Sequence, residues 1–119
     1  MSELTQIHKF TLEKNQIRGV KLLDRKNPNW RKSVNKQILY TSDPTNCVLG
    51  QLYGDYYDGI RILFPIRSLF GFPYKIAFKY GFNTTTDGFH DTALPLNDQG
   101  FPYLTDLWKA ELSSAKVAE

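Results

Sequence analysis

Few side chains in this sequence have the types and spacing that catalysis needs. Cys47 is the single cysteine, and it could act as a nucleophile if His90 approached it as a base. Its neighbours Val48, Leu49 and Leu52 are apolar, and a free cysteine in such a setting most often packs as a small hydrophobe. We therefore interpret Cys47 as a core residue, and a small enzyme with a cryptic site around Cys47 and His90 is the alternative.

The acidic residues suggest little more chemistry. Asp55 and Asp58 could be drawn as an acid pair, but nothing in the sequence sets their separation or raises a pKa. His90 and Asp91 form a dipeptide without a visible third partner, and the cysteine and the two histidines lack the paired spacing of a zinc site. Signatures of nucleotide-binding proteins, metalloproteases and hydrolases are absent. The sequence predicts a protein that is not an enzyme and that uses no cofactor or metal.

The strongest functional signal is a stripe of cations on a predicted helix from about Thr11 to Lys26. At about 100° per residue, Leu12, Val20 and Leu23 share one face, with Ile17 at its edge. The opposite face carries a basic stripe, which comprises Lys14, Arg18, Lys21 and Arg25. Opposed apolar and basic faces are typical of an amphipathic helix.

The basic segment continues beyond this helix to Arg31, Lys32 and Lys36. Between Lys14 and Lys36 there are eight basic residues and one acid, Asp24. Solvent-exposed helix faces usually mix both signs, whereas clustered cations attract polyanions. The segment therefore indicates a surface for phosphates or another anionic partner, and an ordinary solvated face is the alternative.

A second candidate is the tyrosine-rich run from Tyr53 to Gly59. Tyr53, Tyr56 and Tyr57 could stack on a base, and Asp55 could bind a ribose or a partner's basic side chain. The run could instead be a junction between two helices, with Asp55 as a cap and the tyrosines half buried. We favour the junction.

Capping and turn residues predict further elements. Asn27-Pro28 ends the first helix, and Trp30 after it is a predicted core anchor. A second helix is expected to start at Ser42-Asp43-Pro44 and to end at Gly54, and a third is expected from Asp55 to Leu63, with Pro65 after it.

The second half of the chain is less clear. Residues 73–82 alternate apolar and polar side chains, which favours a strand, yet Pro73 and Gly81 also suit the two ends of a helix. Turn signals over residues 83–100 allow a short hairpin, and a last helix is expected from about Pro102 to Lys116.

Several short runs resemble a set of small, largely uncharacterised proteins of bacteriophages and actinobacteria. They are the core motif N-C-V-L-G-Q-L-Y-G-D over residues 46–55, G-V-K-L-L-D over 19–24 before a Pro-x-Trp turn, K-Y-G-F over 79–82, and Trp108-Lys109. The resemblance implies a mainly helical fold, a helix before Tyr80 and a phage accessory role. That set has no established activity, so no functional residue is carried over.

Composition agrees with one small domain. The chain has 119 residues, and 41% of them are hydrophobic, a normal share for a globular protein of domain size. The aromatic share, 14%, is high. We predict a mainly α fold, a single-domain helical bundle over residues 1–119 with frayed segments 1–10 and 114–119. A short hairpin, or an α+β fold, is the alternative.

The functional expectation follows from charge. The net charge of +3 is the sum of +6 over the first 36 residues and −3 over the rest. We predict a cytoplasmic, phage-type binding protein without a membrane segment, in the host cytoplasm if phage-encoded. It would be a counter-defence inhibitor that binds a host protein or sequesters an anionic nucleotide. The alternative is a nucleic-acid-binding protein that uses the basic helix.

Overall fold

Helices make up most of the part of the chain that the computed structural model describes, residues 6–66, 73–84 and 95–114. They are α1 (Gln6–Lys26), α2 (Trp30–Ser33), α3 (Val48–Tyr53), α4 (Tyr56–Leu63), α5 (Pro73–Lys79) and α6 (Pro95–Ser114). Those three ranges contain no strand, so the mainly α prediction is confirmed. Residues 95–100 of the predicted hairpin region are helical, and residues 85–94 lie outside the described ranges.

Helix α1 ends as predicted but begins earlier. The Asn27 amide closes the last turn on the Leu23 carbonyl at 2.7 Å, and Pro28 follows it. The first turn starts at Gln6, and the Thr11 hydroxyl donates to the Ile7 carbonyl within the helix instead of capping its end. Residues 6–10 of the segment predicted to fray are part of this helix, and residues 1–5 are outside the described ranges.

The start of α3 differs from the prediction at Asp43-Pro44. The Asp43 carboxylate accepts hydrogen bonds from the Thr45 amide at 3.0 Å and from the Asn46 side chain at 2.9 Å, so it organises a turn. Helix α3 begins only at Val48, and Cys47 caps it by accepting the Gly50 amide on Sγ at 3.3 Å. Asp43 and Pro44 match the sequence of a helix start, but the Asp43 carboxylate stabilises a local turn instead of capping α3.

The junction between α3 and α4 follows the prediction. Gly54 ends α3, and its amide donates to the Gly50 carbonyl at 2.9 Å. The Asp55 carboxylate caps α4 by accepting the Asp58 amide at 2.9 Å, and α4 ends at Leu63.

Residues 73–79 form a helix, as the resemblance implied and against the alternating pattern. The helix ends in a Schellman motif, with hydrogen bonds from Gly81 to Phe78 and from Phe82 to Ala77. Gly81 has a φ of 78°, the left-handed conformation that this motif needs. The glycine turn therefore favours a helix in this segment. The alternation of apolar and polar residues comes from its many aromatic side chains and does not indicate a strand.

Helix α6 is longer at its start than predicted. It begins at Pro95, and Pro102 lies inside it instead of opening it. The turn signals before Pro102 do not break the helix, and buried Gly100 lets it approach Thr84 closely. It extends to Ser114, and residues 115–119 of the predicted frayed end are outside the described ranges.

The core lies between α1 and the other helices. Helix α1 packs on α5 and α6, α4 packs on α3 and α5, and α2 packs on α3. Trp30 and Trp108 are both fully buried and meet edge to face at 5.6 Å, which confirms Trp30 as an anchor. Phe82 stacks on Trp108 at 5.6 Å, and the Trp108 indole N–H donates to the Gly81 carbonyl at 2.8 Å. The end of α5 is thereby tied to α6.

Candidate binding surface on the first helix

The basic stripe of α1 is exposed along its whole length. Lys14, Arg18, Lys21 and Arg25 all have exposed side chains. Within the described ranges none of the four has a carboxylate partner. Arg18 donates to the Asn15 side-chain oxygen at 2.7 Å, and the Lys14 ammonium lies 5.3 Å from the centre of the Phe10 ring. These positive charges are therefore available to a partner.

Large apolar residues share this face, which sequence analysis missed. Ile7 is 76% exposed, Phe10 60% and Ile17 50%. Ile17 was expected at the edge of the apolar face, but it lies with the cations. The start of α1 at Gln6 adds Ile7 and Phe10 to the same side, so the exposed face is basic and apolar together.

The buried face of α1 is also mixed. Leu12 and Leu23 are buried and Val20 is half-buried, but Asn15 and Gln16 are buried beside them. The amide nitrogens of both polar side chains have no hydrogen-bond partner in the described part of the structure. The clean separation of apolar and basic faces predicted for α1 is therefore wrong.

Arg31 has a structural role, which sets it apart from the stripe. Its guanidinium pairs with Asp24 at 2.6 Å and with Glu111 at 2.7 Å, and it lies 4.7 Å from the Trp30 ring. Partial burial favours a higher pKa for Asp24, but hydrogen bonds from Arg31 and Trp30 outweigh it and lower that pKa. Arg31 thus ties α1 and α2 to α6.

The two lysines after Arg31 are both exposed. Lys32 is exposed on α2, and Lys36 donates to the Ser113 hydroxyl at 2.7 Å. Lys32 can add to the positive field near the stripe, while Lys36 also holds the end of α6.

The tyrosine-rich run has the geometry of a helix junction. Tyr56 is 3% exposed, and its hydroxyl accepts a hydrogen bond from Asn83 at 3.1 Å, so its ring is unavailable for stacking on a ligand. Tyr57 is 38% exposed and packs edge to face on Tyr56 at 5.0 Å, while Tyr53 is half-buried. Asp55 serves as the cap of α4.

The supposed acid pair is already engaged in local structure. The Asp55 carboxylate accepts the amide of Asp58, and the Asp58 carboxylate forms an ion pair with Arg61. Each carboxylate has a structural partner, as a helix end usually provides.

Cys47 lies in the core, as its neighbours predicted. It is 5% exposed, and burial raises the pKa of its thiol to about 11. The gap that it lines with Thr41, Phe82 and Trp108 is too small for a water molecule. His90 and Asp91 lie outside the described ranges, and within those ranges no cluster of metal-binding side chains occurs.

The core motif over residues 46–55 has a structural explanation. Gln51 accepts the Asn35 amide at 2.6 Å and donates to the Asn46 carbonyl at 2.9 Å, which holds the preceding loop on α3. Gly50 allows that loop to cross close to the helix at Pro44 and Thr45. With the caps at Cys47 and Asp55, the motif is accounted for by packing and capping.

Comparisons with protein-family models, with curated proteins and with solved structures found no match for this chain. Among the described helices, none combines the length and the apolar character needed to cross a bilayer. The assignment of a functional surface therefore rests on the geometry of α1.

Proposed function

We propose that this protein is a non-enzymatic binding protein that contacts an anionic partner through the exposed face of α1. One observation carries the proposal. Lys14, Arg18, Lys21 and Arg25 are exposed on one helix, without carboxylate partners among the described residues. Like charges held together at a surface repel each other, and together they attract a negatively charged partner over several ångströms.

The contrast with Arg31 supports this assignment. Arg31 has two carboxylate partners and an aromatic neighbour, which shows how this fold neutralises a cation that stabilises its structure. The four cations of the stripe lack that arrangement. The surroundings of Cys47, Asp55 and Asp58 support a role in binding over a role in catalysis, since each group is engaged in packing, capping or an ion pair.

The resemblance to phage proteins supplies the biological setting of the proposal. A small phage accessory protein in the host cytoplasm that acts by binding would inhibit a host protein or capture an anionic signal. A nucleic-acid partner would use the same four cations, and its binding would weaken steeply with salt.

Charge reversal tests the proposal. We expect the variant Arg18→Glu, Lys21→Glu to lose binding to poly-glutamate and to a DNA duplex at low salt, because it reverses the centre of the stripe. Both sites are exposed, so the helix content of the variant should match that of the native chain. Its unfolding midpoint should fall only through loss of the hydrogen bond from Arg18 to the side-chain oxygen of buried Asn15. Fluorescence anisotropy and circular dichroism measure the two properties.

A matched control keeps the same change in net charge. Lys26→Glu, Lys79→Glu alters two exposed lysines outside the stripe and should retain most of the binding. Equal losses in the two double variants would show a general charge effect, and no binding by the native chain would refute the proposal.

A further inference from the structure

The exposed residues of α1 follow the spacing of a helix-pairing seam. Ile7, Phe10, Lys14, Ile17 and Lys21 are separated by three, four, three and four residues, the a and d positions of a heptad. All five side chains are exposed. The seam runs for about 21 Å at the usual rise of a helix.

Cations flank and interrupt this seam. Lys14 and Lys21 occupy two of the a positions of the seam. Arg18 and Arg25 lie along one side of it, at e positions, where charged side chains of paired helices form ion pairs with the partner helix. The Lys14 ammonium lies over the ring of Phe10, so the charged and apolar groups form one surface.

We propose that this seam binds an acidic amphipathic helix of a partner protein. This inference rests on the proposed function and names the class of partner. Apolar side chains of such a helix would cover Ile7, Phe10 and Ile17, and its carboxylates would pair with Lys14, Lys21 and the two arginines. A second copy of α1 does not fit, because it would place like charges opposite each other.

Other anionic partners match the seam less well. A phosphate backbone offers no apolar surface to Phe10 and Ile17. A bilayer binds helices whose apolar and charged faces are separate, whereas Lys14 and Lys21 lie between the apolar residues of this seam. An acidic helix satisfies both kinds of group at once.

The test compares three probes by anisotropy or co-sedimentation. They are an acidic peptide of about three heptads with leucine and glutamate placed to match the seam, a DNA duplex, and vesicles of equal parts phosphatidylserine and phosphatidylcholine. We expect the peptide to bind, and a scrambled peptide of the same composition to bind at least about tenfold more weakly.

Substitutions separate the contribution of the apolar side chains to peptide binding from that of the cations. Phe10→Ser and Ile17→Ser keep every cation, and each should weaken peptide binding about tenfold or more. Ile62→Ser, at a residue 57% exposed on α4, is the matched control and should leave binding unchanged. Circular dichroism checks that all three variants fold.

The outcomes distinguish this inference from the proposed function. The acidic-helix proposal is overturned if the duplex or the vesicles bind and the matched peptide does not. It is also overturned if the serine variants bind the peptide as well as the native chain does. In both cases the proposed function, binding of an anionic partner, still stands. If the native chain binds none of the three probes, both proposals fail.

Discussion

Cys47 illustrates how a reactive residue type can serve the fold alone. Its apolar neighbours predicted its burial, and the structure adds that its sulfur caps α3 by accepting the Gly50 amide. The cap of Asp55 on α4 was predictable, since it joins residues only three apart in the sequence. The partners of Arg31 were not predictable, because Glu111 is distant in sequence and only the packing of α6 brings it near.

Burial of Cys47 predicts a loss of stability in alkaline solution. The pKa of the thiol rises from 9.0 to about 11 on folding, so the folded state holds this proton more tightly than the unfolded state. Between these values the unfolded chain releases the proton first, and the free energy of unfolding falls as pH rises, by roughly 3 kcal/mol in total from this group. Urea unfolding measured from neutral to strongly alkaline pH follows the change.

The variant Cys47→Ser isolates this effect from the titration of lysines and tyrosines. Serine keeps a small capping group but does not ionise in this range, so its stability should decline less between pH 9.0 and 11. Parallel curves for the two proteins would show that the Cys47 thiol ionises normally.

At the scale of elements, the C-terminal ends of the first helices were predictable, whereas the starts of α1, α3 and α6 and the faces of α1 were not. The end of α1, the junction at Gly54-Asp55 and the end of α4 follow from local capping residues. The faces of α1 differ from its pattern because burial depends on contacts with α5 and α6, which place Gln16 against Gly81. Helix α5 was ambiguous from periodicity, and its Schellman turn resolves it.

The turn after α5 provides a test at this scale. Gly81 has a φ of 78°, and a side chain there would come within 2.5 Å of the Gln16 Cα. We expect Gly81→Ala to lower the free energy of unfolding by about 2 kcal/mol or more, from backbone strain and from displacement of α1. Chemical denaturation measures the loss.

Gly54→Ala is the matched control for that substitution. Gly54 also has a positive φ, 103°, but a side chain there meets open space. Gly54→Ala should lower the free energy of unfolding through backbone strain alone, by roughly 1–3 kcal/mol, and by less than Gly81→Ala, which adds the displacement of α1. Similar losses at the two positions would mean that contact with α1 does not constrain this turn.

At the scale of the whole molecule, charge is distributed unevenly along the chain. The first 36 residues carry +6 and the remainder −3, and the structure places four of those cations on the exposed face of α1. The mainly α fold and the basic stripe were predictable from sequence. The apolar seam was not, because it required α1 to include Ile7 and Phe10 and Ile17 to be exposed.

Mapping the bound surface tests the central claim most directly. Amide chemical shifts of the isotope-labelled protein can be followed by nuclear magnetic resonance during titration with poly-glutamate. The account predicts that the largest changes fall on α1 between Ile7 and Arg25. Largest changes in the tyrosine-rich run from Tyr53 to Gly59, or changes spread evenly over the chain, would contradict it.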